Sequence, residues 1–208
     1  MVHRRELDGE ALVLGNQGAL YLNAMTWWDH ATGSIWSQPT GEAIAGPLTG
    51  SRLALVPSTL TTWAEWTMQH PDTVALDAPG RRLAVGLEMM AIVVDLGTEV
   101  VSYDVTVLRD AGVVDDVVAG IEIAVVVDPD DPNRWAVYSR RVGDAVVDLE
   151  RAADGLVDRR TGTVFDPLRG IARSGLMAGR VLDRLPAFTM FPKDFERLFP
   201  DGRSWPEG

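Results

Sequence analysis

Asp29, His30, Ser34, Trp36, Gln38 and Glu42 fall within one stretch of fourteen residues. Serine, histidine and a carboxylate so close together invite a nucleophilic triad, in which a base takes the serine proton and an acid orients the base. The spacing speaks against it. His30 precedes the turn signal Thr32-Gly33, and extended backbone sends neighbouring side chains to opposite faces. The plainer reading is that these residues build a hairpin and its turn. A third reading is a polar binding site formed by Trp36 and Gln38, with Asp29, His30, Ser34, Glu42 and His70 as its other candidate residues.

Tryptophans are also concentrated here: Trp27, Trp28, Trp36, Trp63 and Trp66. An indole offers a flat face to rings, sugars or cations and one N–H donor. Trp63 and Trp66 stand at i and i+3, the spacing of a helix face packed on a sheet, and core packing is the favoured expectation for them. If Trp27-Trp28 is extended, its two rings must point to opposite faces. The three histidines, His3, His30 and His70, lack ligand spacing, and no metal is expected. Asp128, Asp130 and Asp131 hint at a calcium loop, but Pro132 and Asn133 break the pattern, leaving a solvated turn. Gly41, Gly46 and Gly50 are not spaced to cradle phosphate, so no nucleotide or other cofactor is expected.

The elements that must position these residues belong to a chain of 208 residues, 46% hydrophobic and 24% charged, ordinary for a globular fold. Thirty acidic against 19 basic groups give a net charge of −11. Such a chain repels phosphate backbones and anionic lipid, so neither nucleic acid nor membrane insertion is expected. There is no cysteine, which excludes disulfides, thiolate metal sites and a cysteine nucleophile. MVHRRELDGE opens with basic residues but no apolar stretch follows, so as written the expectation is a cytoplasmic protein without an export signal.

The chain carries an internal repeat. Residues 29–72 align without a gap on residues 158–201, at a constant offset of 129, with eleven of 44 positions identical. The identities include Gly33, Gly41, Gly46, Gly50, Pro57 and Pro71, and Trp36 and Trp66 face Phe165 and Phe195. Upstream, Arg4-Arg5 is set against Arg140-Arg141, with seven extra residues in the first copy. Each copy reads as a β-hairpin, a glycine-punctuated loop, a strand and one short helix ending before proline, with Thr61 or Thr62 capping the first helix. Between the copies, Ala91 to Asp95, Val100 to Val107 and Ile121 to Val127 read as strands, and Trp135 to Arg140 returns as another. The expected fold is α+β with β dominant: two related halves, residues 1–80 and 81–208, in one domain about a pseudo-twofold axis.

The run GSIWSQPTGEAIAGPLTG followed by TTWAEWTMQHPDT resembles domain-of-unknown-function family 3179 of bacteria and archaea. The match rests on Ser34, Trp36, Gln38, Gly41, Ala43, Gly46, Gly50, Leu53, Trp63, Trp66, His70, Pro71, Asp72 and Thr73. The second copy resembles the family's degenerate C-terminal repeat through Asp158, Thr161-Gly162, Asp166-Pro167, Gly170 and Gly175. The family pattern implies a cysteine-containing stretch before the first repeat and often an export signal. Here Asp128-Pro129 stands where the pattern has a Cys-Pro. The resemblance implies no activity. The favoured expectation is a noncatalytic binding or accessory module for a small molecule or protein, with a cleft near Trp36, Gln38 and Glu42. The alternatives are an enzyme using Glu42 or His30 as acid or base, and a structural or homodimeric interaction protein.

Overall fold

The structure, a computed structural model, describes residues 1–75, 89–153 and 155–206. The boundary expected between residues 80 and 81 lies outside the described residues. A two-stranded hairpin, β1 (Glu6–Leu7) and β2 (Glu10–Ala11), leads into a four-stranded antiparallel meander of β3 (Leu14–Tyr21), β4 (Ala24–Asp29), β5 (Ile35–Ser37) and β6 (Ala43–Ala45). Helix α1 (Trp63–Gln69) follows. Next come β7 (Ala91–Asp95), β8 (Val100–Asp104) and helix α2 (Val105–Ala111). A three-stranded antiparallel sheet is then made of β9 (Val113–Val118), β10 (Ile121–Val127) and β11 (Trp135–Ser139). The hairpin β12 (Arg141–Val142) and β13 (Ala145–Val146) precedes a second four-stranded meander, β14 (Leu149–Ala152), β15 (Gly155–Asp158), β16 (Val164–Phe165) and β17 (Ala172–Ser174). The last elements are β18 (Ala187–Met190), α3 (Pro192–Leu198) and β19 (Arg203–Trp205). Strands β18 and β19 complete a sheet of order β18-β7-β8-β19, with β19 parallel to β8. The fold is α+β with strands dominating, as expected.

The valine-rich middle forms the main core because its strands are buried on both faces. Val125, Val127 and Val137 pack with Ile92, Val94, Val101 and Tyr103 of the β7–β8 sheet, and α2 contributes Val105 and Leu108. The opposite face of the same strands, Ala124, Val126, Ala136 and Tyr138, packs on Leu149, Leu156, Phe165 and Leu182 of the second meander. Beyond β7, Val93 meets Phe188, Met190, Phe195 and Phe199, with Leu55 of the first half joining them. The first meander has only a small core of its own: Leu12, Trp36, Ala43 and Leu53.

One element differs from the sequence reading. The β-branched run Val100 to Val107 reads as one strand, but the strand ends at Asp104 and α2 begins. Asp104 caps the helix, its carboxylate accepting the Thr106 N–H at 2.7 Å. Gly112, at φ 71°, closes it by donating its N–H to the Leu108 carbonyl. Capping chemistry here overrides the strand propensity of valine.

The backbone hydrogen bonds of the two meanders match pair by pair. Asp29 N–H to Ser34 O, Gly41 N–H to Ser37 O, Gly50 N–H to Ala43 O and Leu53 N–H to Gly41 O recur as Asp158 to Thr163, Gly170 to Asp166, Gly179 to Ala172 and Leu182 to Gly170. Upstream, Leu12 N–H to Arg5 O recurs as Val147 to Arg140, which sets Arg5 rather than Arg4 against Arg140. By these bonds the stretch from Arg5 to Asp29 is six residues longer than that from Arg140 to Asp158.

The glycines of the loop are not equivalent. Gly46 (φ 97°) and Gly175 (φ 91°) lie against Ser34 and Thr163, so an added Cβ would stand 2.7 and 2.6 Å from those Cα atoms. Gly50 has a similar φ of 87° with open space around it. Gly50→Ala should cost about 1–2 kcal/mol for the left-handed backbone alone. Gly46→Ala and Gly175→Ala should each cost about 3 kcal/mol or more, because overpacking adds to that strain. Urea unfolding of the three variants checks the order; equal losses would contradict the close approach.

Candidate functional site

The turn after β4 is closed by Gly33 N–H to Asp29 O at 2.9 Å, which swings the Asp29 side chain under the loop. Its buried carboxylate accepts the Thr32 N–H (2.6 Å), the Thr32 hydroxyl (2.8 Å), the Ser34 N–H (3.1 Å) and the Trp36 indole N–H (3.1 Å). The Ser34 hydroxyl meets Thr32 Oγ1 at 2.6 Å and accepts the Leu48 N–H at 3.1 Å. Burial pushes the Asp29 carboxyl up, but these hydrogen bonds outweigh it, and its pKa lies below the ordinary aspartate value. Trp36 has no exposed surface. Of the residues singled out in the sequence, the structure thus brings Asp29, Ser34 and Trp36 into one enclosed network that holds the hairpin.

The other candidates lie elsewhere. His30 is exposed and stacks on Trp28, ring centroids 4.2 Å apart, so Trp28 faces away from the core that Trp27 flanks. Among the described residues no hydrogen bond joins His30 to Ser34. Gln38 is half-buried, and its carbonyl accepts from His3 Nε2 at 2.8 Å. Glu42 is exposed and faces Arg52 across an isolated β-bridge. His70 is exposed beyond the end of α1, 4.0 Å from the Trp66 ring. The cleft expected near Trp36, Gln38 and Glu42 therefore has no Trp36 face to offer. Among the described residues there is no group of three or more His, Asp or Glu side chains arranged to hold a metal ion. No helix among them is long and apolar enough to cross a membrane.

A concave site does exist, between α1 and the loops of the second meander. It is a cleft of about 560 Å³, within the range of small-molecule sites. One wall is Thr59, Leu60, Thr61, Trp66, Met68 and Gln69; the other is Arg134, Asp166, Leu168, Arg169, Arg173 and Arg184. The helix places Trp66 here but leaves it 41% exposed, and Trp63 is 54% exposed. Both were expected in the core. Their i, i+3 spacing defines a face of the helix, whereas what covers that face is a tertiary matter. In the second half the equivalent Phe195 is enclosed by Val93 and Phe188.

Asp166 organises the arginine wall. It accepts the Leu168 N–H (2.9 Å) and the Arg169 N–H (2.8 Å) and pairs with the Arg173 guanidinium. Burial pushes its carboxyl up, but the two N–H groups and Arg173 outweigh burial and hold it ionised at neutral pH. Arg184 lies over the Tyr138 ring at 5.2 Å and donates through Nη2 to the Leu168 carbonyl and to the Tyr138 hydroxyl (3.1 Å). Burial raises the Tyr138 pKa well beyond the usual phenol value, so that hydroxyl stays protonated. Arginine is not deprotonated in proteins. The cleft thus supplies fixed positive charge, N–H donors and an indole face rather than a group poised for proton transfer.

The sequence reading missed this wall. A signal was present in the sequence: at an offset of 129 from Thr40, Ile44 and Leu55 stand Arg169, Arg173 and Arg184. No curated protein and no solved structure matches the chain. Residues 1–84, which span the first meander, its buried Asp29–Trp36 network and α1, match the model of a family described as a protein of unknown function (DUF3179), and it is this family that the chain resembles.

Proposed function

We propose that the protein is a noncatalytic binding module whose ligand lies in the cleft between α1 and the Asp166–Arg173 loop. The observation that carries this reading is the cleft itself: a concavity of about 560 Å³ with an indole and a thioether on one wall and arginines on the other. Such a mixture of apolar surface and a few placed polar groups is what orients a small molecule. We also infer that the two halves descend from one duplicated unit, the support being the matching hydrogen bonds at a constant offset of 129. On that view only the second copy elaborated the arginine wall.

Trp66→Ala tests the binding reading. Trp66 is substantially exposed, and its indole N–H donates to the Thr73 hydroxyl at 2.9 Å in a solvent-exposed hydrogen bond. The variant should stay folded, with stability changed by less than about 1 kcal/mol. Compounds that raise the melting temperature of the wild-type chain in a small-molecule screen should bind the variant about tenfold or more weakly, the loss of about 1.4 kcal/mol of ring contact. Undiminished binding would move the site away from this cleft.

A further inference from the structure

We propose that the ligand of this cleft is a small organic anion: an oxyacid group held by Arg169, Arg173 and Arg184, with an apolar or aromatic body against Trp66 and Met68. The inference rests on the binding reading above and adds the chemical class. Its first support is charge. The lining holds four arginines and a single carboxylate, in a chain whose net charge is −11. A concave wall of one sign focuses potential into the cleft and draws in the opposite charge. Asp166 offsets one of these charges through Arg173, and Asp128 lies 3.8 Å from Arg134, so the four arginines still outnumber the two carboxylates beside them.

The second support is that the loop does not need these cations. The matching backbone bonds place Thr40, Ile44 and Leu55 where the second meander has Arg169, Arg173 and Arg184, and the loop forms there without cations at those three positions, with Arg52 Nε donating to the Thr40 carbonyl at 2.9 Å. Leu55 instead packs on the Val93 and Phe188 cluster. The third is an unmet donor. Arg184 Nη1 is buried and has no acceptor, although Nη2 has two. Arg184 lines the cleft with its other nitrogen already committed, and guanidinium groups match the paired oxygens of carboxylate and phosphate. Arg169 and Arg173 are exposed enough to reach the same group. On the facing wall Trp66 and Met68 present apolar surface, which an inorganic ion alone would leave uncovered.

The test uses the full chain and probes matched in shape: 1-naphthoate, 1-naphthyl phosphate, the neutral 1-naphthamide, and inorganic phosphate, titrated calorimetrically at constant ionic strength. One or both naphthyl anions should bind saturably, with the amide and inorganic phosphate each at least about tenfold weaker. A preference between the two anions identifies carboxylate or phosphate as the acid group. Arg169→Gln and Arg173→Gln lie on the surface and should leave the circular dichroism spectrum unchanged while each weakens the anion about tenfold. Equal binding of amide and anion, abolished by Trp66→Ala, would overturn the anionic class and leave the cleft reading standing. Saturable anion binding indifferent to Trp66→Ala and to both arginine variants would overturn both. Inorganic phosphate binding as tightly as the naphthyl phosphate would overturn the organic body.

Discussion

Trp36→Ala should lower the unfolding free energy by about 3–5 kcal/mol, whereas Trp66→Ala, thirty residues on, should leave it within about 1 kcal/mol. Trp36 is the largest side chain of a small core whose other buried members among the described residues are Leu12, Ala43 and Leu53. Its removal empties most of that core, and so small a cluster has little material with which to collapse onto the void. Trp36→Phe separates the two roles of the indole. It keeps most of the ring but removes the donor to Asp29, and should cost about 1–2 kcal/mol. The second copy tolerates Phe165 at this position because Asp158 there accepts the Asp148 N–H at 2.9 Å instead. Guanidinium unfolding followed by circular dichroism measures all three. A Trp36→Ala variant within about 1 kcal/mol of wild type would mean that the indole is not enclosed as described.

Asp29→Ala should cost about 3–4 kcal/mol at pH 7, because it strips the acceptor from two buried donors and two part-buried ones at once, a buried donor left unmet costing about 1–3 kcal/mol. The donors are the Thr32 and Ser34 N–H groups, the Thr32 hydroxyl and the Trp36 indole. Asp29→Asn keeps the shape and one acceptor oxygen but loses the ionised form, and its deficit should depend on pH. The folded pKa of Asp29 is depressed by its hydrogen bonds in spite of burial. Stability gained from ionisation is therefore fully present above the unfolded value of about 3.9 and is lost as pH falls through the folded pKa. The gap between wild type and Asp29→Asn should thus be widest above about pH 5 and should narrow below about pH 4. Taking the difference between the two proteins cancels Asp116, Asp158 and Asp166, whose pKa values are also lowered. A gap that stays constant from pH 7 to pH 3 would show that Asp29 gains nothing from ionisation in the folded state.

These two residues also show how far a sequence can be read. The triad suggested by Asp29, His30 and Ser34 dissolves in the structure because the turn closes Asp29 and Ser34 inward and leaves His30 stacked on Trp28 outside. The suggestion that these residues make a hairpin and its turn describes what they do. Strands such as Ala91–Asp95 and Ile121–Val127 were legible to the residue, since runs of valine and isoleucine bounded by turn residues leave few other conformations. Helix α2 was not, because one capping aspartate redirected a run that otherwise reads as strand.

The amino-acid sequence by itself determined the β-dominant character, the turn glycines and the absence of thiol chemistry. All of these are set by residue type and local spacing. Only the tertiary structure decided which tryptophan is enclosed and which faces a cleft, and that α1 meets the arginines of the second meander. Helical spacing says which side chains share a face and composition says how many arginines there are. What lies opposite that face depends on chain segments far apart in sequence, brought together by the valine-rich core between them.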